Sequence, residues 1–300
     1  MAHYPLVITV AALCAITSPL AQDKGLGYTG TEAIAETNRD SRNMAAQTAR
    51  STGDLMDKIR KTQVKPGHVS IFWLGQGGFA LKMPRNRVVI VDPYLSNSVG
   101  AKRLQPIPIP PEEVRADVVL LTHDHLDHTD PGTLPGIANA CRAKFIGPLS
   151  SCEHMRKLSI DATRCIPIAR GKTIQVGELR IAAVYAKHTD DSVGYVIDCL
   201  GPKVYIMGDS EYDERLASVR DLSPDVMLVC INGKMGNMNI EQAVELTKQI
   251  GPKVVIPMHY GMFANNTADP EDFAKRAQAA GIAAKVVILP YKGSFTYPDT

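Results

Sequence analysis

From His68 onward the chain alternates short apolar runs with polar, glycine-bearing turns. The runs at 70–75 (SIFWLG), 79–83 (FALKM), 87–92 (RVVIVD), 117–123 (DVVLLTH), 144–147 (KFIG), 179–186 (LRIAAVYA), 193–198 (VGYVID), 203–209 (KVYIMGD), 225–230 (DVMLVC), 253–259 (KVVIPMH), 285–289 (KVVIL) and 294–297 (SFTY) are rich in Val, Ile and aromatic residues. Such short, bounded runs predict strands. Between them, Pro131–Ala140, Ser150–Leu158, Ile240–Ile250 and Pro270–Ala280 are expected to be helices. In the third, Ile240, Val244 and Thr247 with Ala243, Leu246 and Ile250 follow the 3–4 spacing of an amphipathic helix. The first three strands are joined by short turns and begin as a meander, whereas later strands alternate with helices. That mixture predicts an α/β protein of two sheets with helices on the outer faces. No solenoid-length repeat or low-complexity tract interrupts it.

The first 66 residues have a different texture. Leu6–Leu20 is largely apolar, and no Lys, Arg, Asp or Glu precedes Asp23. The run is shorter than the roughly 20 residues a membrane-spanning helix needs. It suits the apolar segment of a secretory signal, with Ala21 as the cleavage position. Residues 1–21 are therefore expected to be a signal peptide and the mature protein periplasmic or secreted. The alternatives are an N-terminally anchored or a cytoplasmic protein. Residues 22–66 read as a polar extension, helix-compatible from Glu32 to Lys61, packed on a single domain at 67–300.

Composition narrows the class further. With 45% hydrophobic and 21% charged residues, the 300-residue chain is an ordinary globular protein. Its 33 basic and 31 acidic residues leave a formal charge of +2. That balance gives no footprint for nucleic acid and no polybasic membrane surface. A small-molecule substrate is the expected partner, with no stable membrane association once the signal is removed. Nothing in the pattern indicates an oligomer. Cys141, Cys152, Cys165, Cys199 and Cys230 are scattered without a CxxC pair, a poor disulfide framework and no zinc ribbon. One bridge among the first three would need an exported protein.

The chemistry concentrates where the strand DVVLLT runs into His123-Asp124-His125-Leu126-Asp127-His128. Packing does not readily account for three histidines and two aspartates after an apolar strand. Imidazole and carboxylate are ligands for zinc and other first-row divalent metals. A turn at the strand end lets His123, His125, Asp127 and His128 converge, which a continuing strand would not. Three further metal-capable residues close apolar runs: His188 after LRIAAVYAK, Asp209 after KVYIMG and His259 after KVVIPM. Each alone has a bland reading, as a surface histidine, a helix-capping aspartate and a buried histidine. Together they point to one assembled site.

The segment THDHLDH resembles the HxHxDH signature of the metallo-β-lactamase-fold hydrolases, and His188, Asp209 and His259 follow in that family's order. The resemblance covers about residues 68–300 and implies an αββα four-layer sandwich. VDPYLS (91–96), GDSEY (208–212) and PKVVIPMHYGMFANNTADPEDF (252–273) look most like the ascorbate-phosphate lactonase branch, which also resembles phosphodiesterases of the fold. It implies two divalent ions, zinc first and manganese or iron as alternatives. His123, His125 and His188 would hold one, Asp127, His128 and His259 the other, with Asp209 between them. Asp127 would orient a hydroxide shared by the ions for attack on a lactone or small ester. No GxSxG elbow supplies a nucleophilic serine.

Beyond the ligands, Tyr260 and Lys234 are candidates to assist the leaving group, and Lys234 also reads as a solvated loop lysine. Asp92 is a candidate to orient a ligating imidazole, as well as a turn-forming Asp-Pro. Asn265 and Asn266 are close enough in sequence to His259 to lean over the site. GQGG at 75–78 lacks the Lys-Ser/Thr of a phosphate loop and reads as a hairpin turn. The other activities the fold admits are phosphodiester hydrolysis and, less expected, β-lactam hydrolysis or iron-dependent redox chemistry.

Overall fold

The computed structural model describes residues 55–299. The expected signal at 1–21 and most of the extension at 22–66 lie outside the described residues. Residues 55–61, at the end of that extension, form helix α1.

Alternation along the strands explains the layers. In β1 (Val69–Gly75), Val69, Ile71 and Trp73 face one hydrophobic core while Phe72 and Leu74 face another. Successive side chains of a strand point to opposite faces, so a strand buried at every position is covered on both sides. The first face packs on a second sheet. The other packs on helices: α1 through Leu55, Met56 and Ile59, α2 (Leu134–Ala140) through Leu134 and Ile137, and α3 (Leu149–Lys157) through Cys152 and Met155.

The first sheet runs β14-β1-β2-β3-β4-β5-β6, with β2 at Gly78–Lys82, β3 at Val88–Val91, β4 at Val118–Leu120, β5 at Lys144–Gly147, β6 at Cys165–Pro167 and β14 at Ser294–Tyr297. Its strands pair antiparallel from β14 to β3 and parallel from β3 to β6. The second sheet runs β13-β12-β11-β10-β9-β8-β7. Its strands are β7 (Thr173–Val176), β8 (Leu179–Tyr185), β9 (Val193–Asp198), β10 (Val204–Ile206), β11 (Val226–Cys230), β12 (Val254–Met258) and β13 (Lys285–Val286). It is parallel from β13 to β10 and antiparallel from β10 to β7. Helices α4 (Ile240–Ile250) and α5 (Pro270–Ala279) contribute Ala243, Leu246, Phe273 and Ala277 to the core around this sheet. The expected α/β sandwich of two sheets flanked by helices is what forms.

Differences from the sequence reading fall at element ends and sheet edges. The expected strand 117–123 stops at Leu120 because the Thr122 amide donates to Asp92 Oδ1 at 2.8 Å instead of joining the ladder. The helix expected from Pro131 begins at Leu134, because Asp130 draws the Gly132 amide into a side-chain turn. The run 285–289 is strand only at Lys285–Val286. Two strands at the sheet edges, β6 and β7, and a 3-10 helix at Glu214–Leu222 were not expected. All five cysteines from Cys141 onward are free thiols, so the bridge among the first three does not form. Among the described residues, no helix is long and apolar enough to cross a membrane.

Candidate metal centre

Four strand ends meet at one edge of the sandwich. After β4 the chain folds into a tight turn in which the His128 and Thr129 amides both reach the His125 carbonyl, at 3.0 and 2.7 Å. This places His123, His125, Asp127 and His128 on one side of the turn. The second sheet supplies the rest: His188 from the β8–β9 connection, Asp209 beyond β10 and His259 beyond β12. Gly208 (φ 67°) lets the chain turn there, and a Cβ at that position would lie 2.8 Å from Thr122 Cβ. The two sheets are stitched beside the site. Val193 donates its amide to the Thr122 carbonyl at 2.9 Å, and Tyr195 donates its hydroxyl to the Leu121 carbonyl at 2.7 Å.

The donor atoms form two groups. His123 Nε2 and His188 Nε2 each lie 3.1 Å from His125 Nδ1. In the second group, His128 Nε2 is 3.8 Å and His259 Nε2 4.0 Å from Asp127 Oδ2. Asp209 lies between: its Oδ2 is 3.2 Å from His259 Nε2 and 3.8 Å from His188 Nε2, and its Oδ1 is 3.5 Å from His128 Nε2. Buried His128 Nε2 and Asp209 Oδ1 have no hydrogen-bond partner. Unpartnered buried polar atoms are costly. Converging lone pairs of this kind fit cations, which would satisfy them together.

The outward nitrogens are held by neighbours. Asp92, fully buried, accepts from His128 Nδ1 at 2.8 Å, from the Thr122 amide and from Thr122 Oγ1 at 2.6 Å. His188 Nδ1 donates to the Gly236 carbonyl at 3.0 Å. Thr122 Oγ1, whose hydrogen goes to Asp92, accepts from His123 Nδ1 at 3.0 Å. Each contact holds the hydrogen on Nδ1, so that the neutral ring carries its lone pair on Nε2. Burial, with the neighbouring imidazoles, drives His123 well below its ordinary range, and burial also lowers His188. At His128 burial acts in the same direction, but the carboxylates of Asp209, Asp92 and Asp127 outweigh it and hold the ring well above its ordinary value. Asp209, although buried, is held well below the carboxylate range by His259 and His128.

The arrangement matches a known family. The family model for the β-lactamase superfamily domain matches residues 87–260. The chain belongs to that superfamily. Its relatives include a UPF0173 metal-dependent hydrolase of Archaeoglobus fulgidus, 33% identical over 76% of this chain and 99% of the relative. Another, from Thermoplasma acidophilum, is 31% identical over 74% of this chain and 96% of its own length. Among solved structures, the metallo hydrolase Igni18 of Ignicoccus hospitalis superposes with a TM-score of 0.66 at 26% identity, over 78% of this chain and all of that one. This superfamily member is accordingly a metal-dependent hydrolase of the metallo-β-lactamase fold.

Two of the expected residues are not brought to the centre. The Tyr260 hydroxyl donates to the Leu289 carbonyl at 2.8 Å, and its ring lies 4.5 Å from Trp73. Burial pushes its ionisation further up, so Tyr260 braces the β12 end rather than acting as a proton donor. Lys234 is exposed and donates to the Asn265 carbonyl at 3.2 Å, while Asn232 Nδ2 donates to Asn266 Oδ1 at 2.6 Å. These bonds tie together the loops after β11 and β12, and the first of those loops carries the Gly236 carbonyl that holds His188. Two polar residues at the centre escaped the sequence reading. Thr122 was read only as strand, and Gln76 was hidden in an apparent glycine turn. No spacing rule marks either one.

Proposed function

We propose that this hydrolase is dinuclear and opens a lactone or cleaves a small ester. What carries the reading is the pair of donor groups, His123–His125–His188 and Asp127–His128–His259, with Asp209 within 3.8 Å of a nitrogen in each. Divalent ions held there would supply Lewis acidity and a water nucleophilic at neutral pH. The chain's own residues set the conditions. Asp92, Thr122 and the Gly236 carbonyl keep the three imidazoles in their donor tautomers. Asp127, partly exposed where His128, His259 and Asp209 are buried, is the carboxylate facing the solvent side and would orient the attacking water. Lys234 at the rim would meet an anionic group on the substrate, because the near-neutral chain provides little long-range field. The lactone expectation rests on the stretches at 91–96, 208–212 and 252–273, which resemble the ascorbate-phosphate lactonase branch. Zinc is the first choice of metal, with manganese or iron fitting the same donors.

Metal analysis and a substrate panel on one preparation test this. The expected result is close to two equivalents of divalent metal with turnover of lactones or small esters. One equivalent or none sinks the dinuclear assignment. Turnover of phosphodiesters alone replaces the ester reading with phosphodiester hydrolysis. Export is part of the proposal, on the strength of the apolar run at 6–20. Sequencing the N-terminus of protein recovered from the producing cell should find residue 22 first, and an intact Met1 would refute it.

A further inference from the structure

The hairpin between β1 and β2 does not itself require Gln76. The residue stands between Gly75 and Gly77, is fully buried and holds a left-handed backbone (φ 53°), a strained conformation for a residue with a Cβ. Its carbonyl is held from two directions, accepting from Trp73 Nε1 and from the His259 amide, both at 3.1 Å. A Cβ on neighbouring Gly77 would come within 2.9 Å of the His128 ring. The turn thus packs directly against the metal centre, with the glutamine side chain inside it.

The amide ends among the donors of one group. Nε2 lies 3.0 Å from Asp127 Oδ2 and 3.0 Å from His259 Nε2, while Oε1 is buried without a partner. Atoms sharing one ion at about 2.0–2.2 Å stand about 3–3.5 Å from each other. The end of the amide therefore has the spacing of a ligand toward Asp127 and His259. Its two terminal atoms exchange places by a half-turn of the last side-chain bond. The N–H group suits the lone pairs of Asp127 and His259 when these are free. A cation at those lone pairs would face the N–H hydrogens, and the half-turn presents the carbonyl oxygen instead. Oε1 gives up no hydrogen bond in turning, having none.

We propose that Gln76 is a further ligand of the Asp127–His128–His259 site, with its amide oxygen toward the ion. The inference rests on the dinuclear reading above. A neutral oxygen added to two imidazoles and a carboxylate shifts the site toward harder ions such as manganese.

The test is a competitive titration of the metal-stripped full-length protein with Zn2+ and with Mn2+ against a chromophoric chelator. It compares wild type, Gln76→Met and Gln76→Glu, with circular dichroism to verify folding. Wild type should take up two ions. Gln76→Met should keep the first and weaken the second by about tenfold or more. Gln76→Glu should restore the second, since a carboxylate oxygen reaches the same place. Wild-type affinity for both ions in Gln76→Met overturns the proposal. So does a Gln76→Glu protein as weak as Gln76→Met, the result expected if only N–H donation to Asp127 mattered. If Gln76→Met does not fold, Gln76→Glu against wild type decides: equal or tighter binding of the second ion supports ligation, and weaker binding overturns it. A wild-type protein that binds fewer than two ions refutes the dinuclear reading itself, and this inference with it.

Discussion

Asp92 receives three donors on one buried carboxylate: the Thr122 amide, the Thr122 hydroxyl and His128 Nδ1. An amide in its place would turn an N–H toward one of them. Asp92→Asn is therefore expected to lower metal affinity by about 10–100-fold through loss of the His128 tautomer, measured by chelator competition. Replacing a ligand acts more directly. His259→Ala should abolish hydrolysis and leave the far-ultraviolet circular dichroism unchanged, and retained turnover would refute its assigned role. The thiols offer a separate check at this scale. Burial pushes Cys152 up to about 11 and Cys230 up to about 12. Thiolate is the reactive form, so both should resist a thiol reagent at pH 8 and react only after denaturation. At the residue scale the motif His123–His128 was legible because five of six adjacent residues carried ligand chemistry. Tyr260 was misread because adjacency to His259 says nothing about direction. The chain turns after the ligand, and the tyrosine points to Leu289.

Helix α4 shows an element written almost wholly in local sequence. Asn239 accepts from the Gln242 amide at 3.0 Å while the Gln242 side chain accepts from the Asn239 amide at 3.1 Å. Gly251 closes the helix at φ 68°. Asn239→Ala should cost about 1 kcal/mol of stability, the usual loss for a cap of this kind, read from urea unfolding. Elements whose limits depend on distant partners were less legible. Strand β4 ends just before the carboxylate of Asp92 takes the Thr122 amide, and α2 starts late because Asp130 is committed to a turn. Strands β6 and β7 are short, partly exposed and lack an apolar run, so only their pairing with β5 and β8 makes them strands.

Across the whole molecule, the metal centre joins the two sheets. The first sheet supplies His123, His125, Asp127 and His128, and the second supplies His188, Asp209 and His259. Binding that requires both sheets in place stabilises the folded state by mass action; at a free concentration 100 times Kd the gain is about 2.7 kcal/mol. Chelation should thus lower the thermal midpoint and added Zn2+ should restore it, as followed by calorimetry. Tyr195→Phe should cost about 1–3 kcal/mol by leaving the buried Leu121 carbonyl short of a donor. The fold class, the strand-helix order and the ligand types came from the sequence alone, because hydrophobic periodicity and donor chemistry are local properties. The division of the ligands into two groups with Asp209 between them was implied by the family resemblance and not by any spacing; its distances, the turning away of Tyr260 and the arrival of Gln76 were decided only in the tertiary structure. Those depend on how far apart two separately formed sheets are held, and on the direction of a side chain at a turn. No local pattern of residues encodes either.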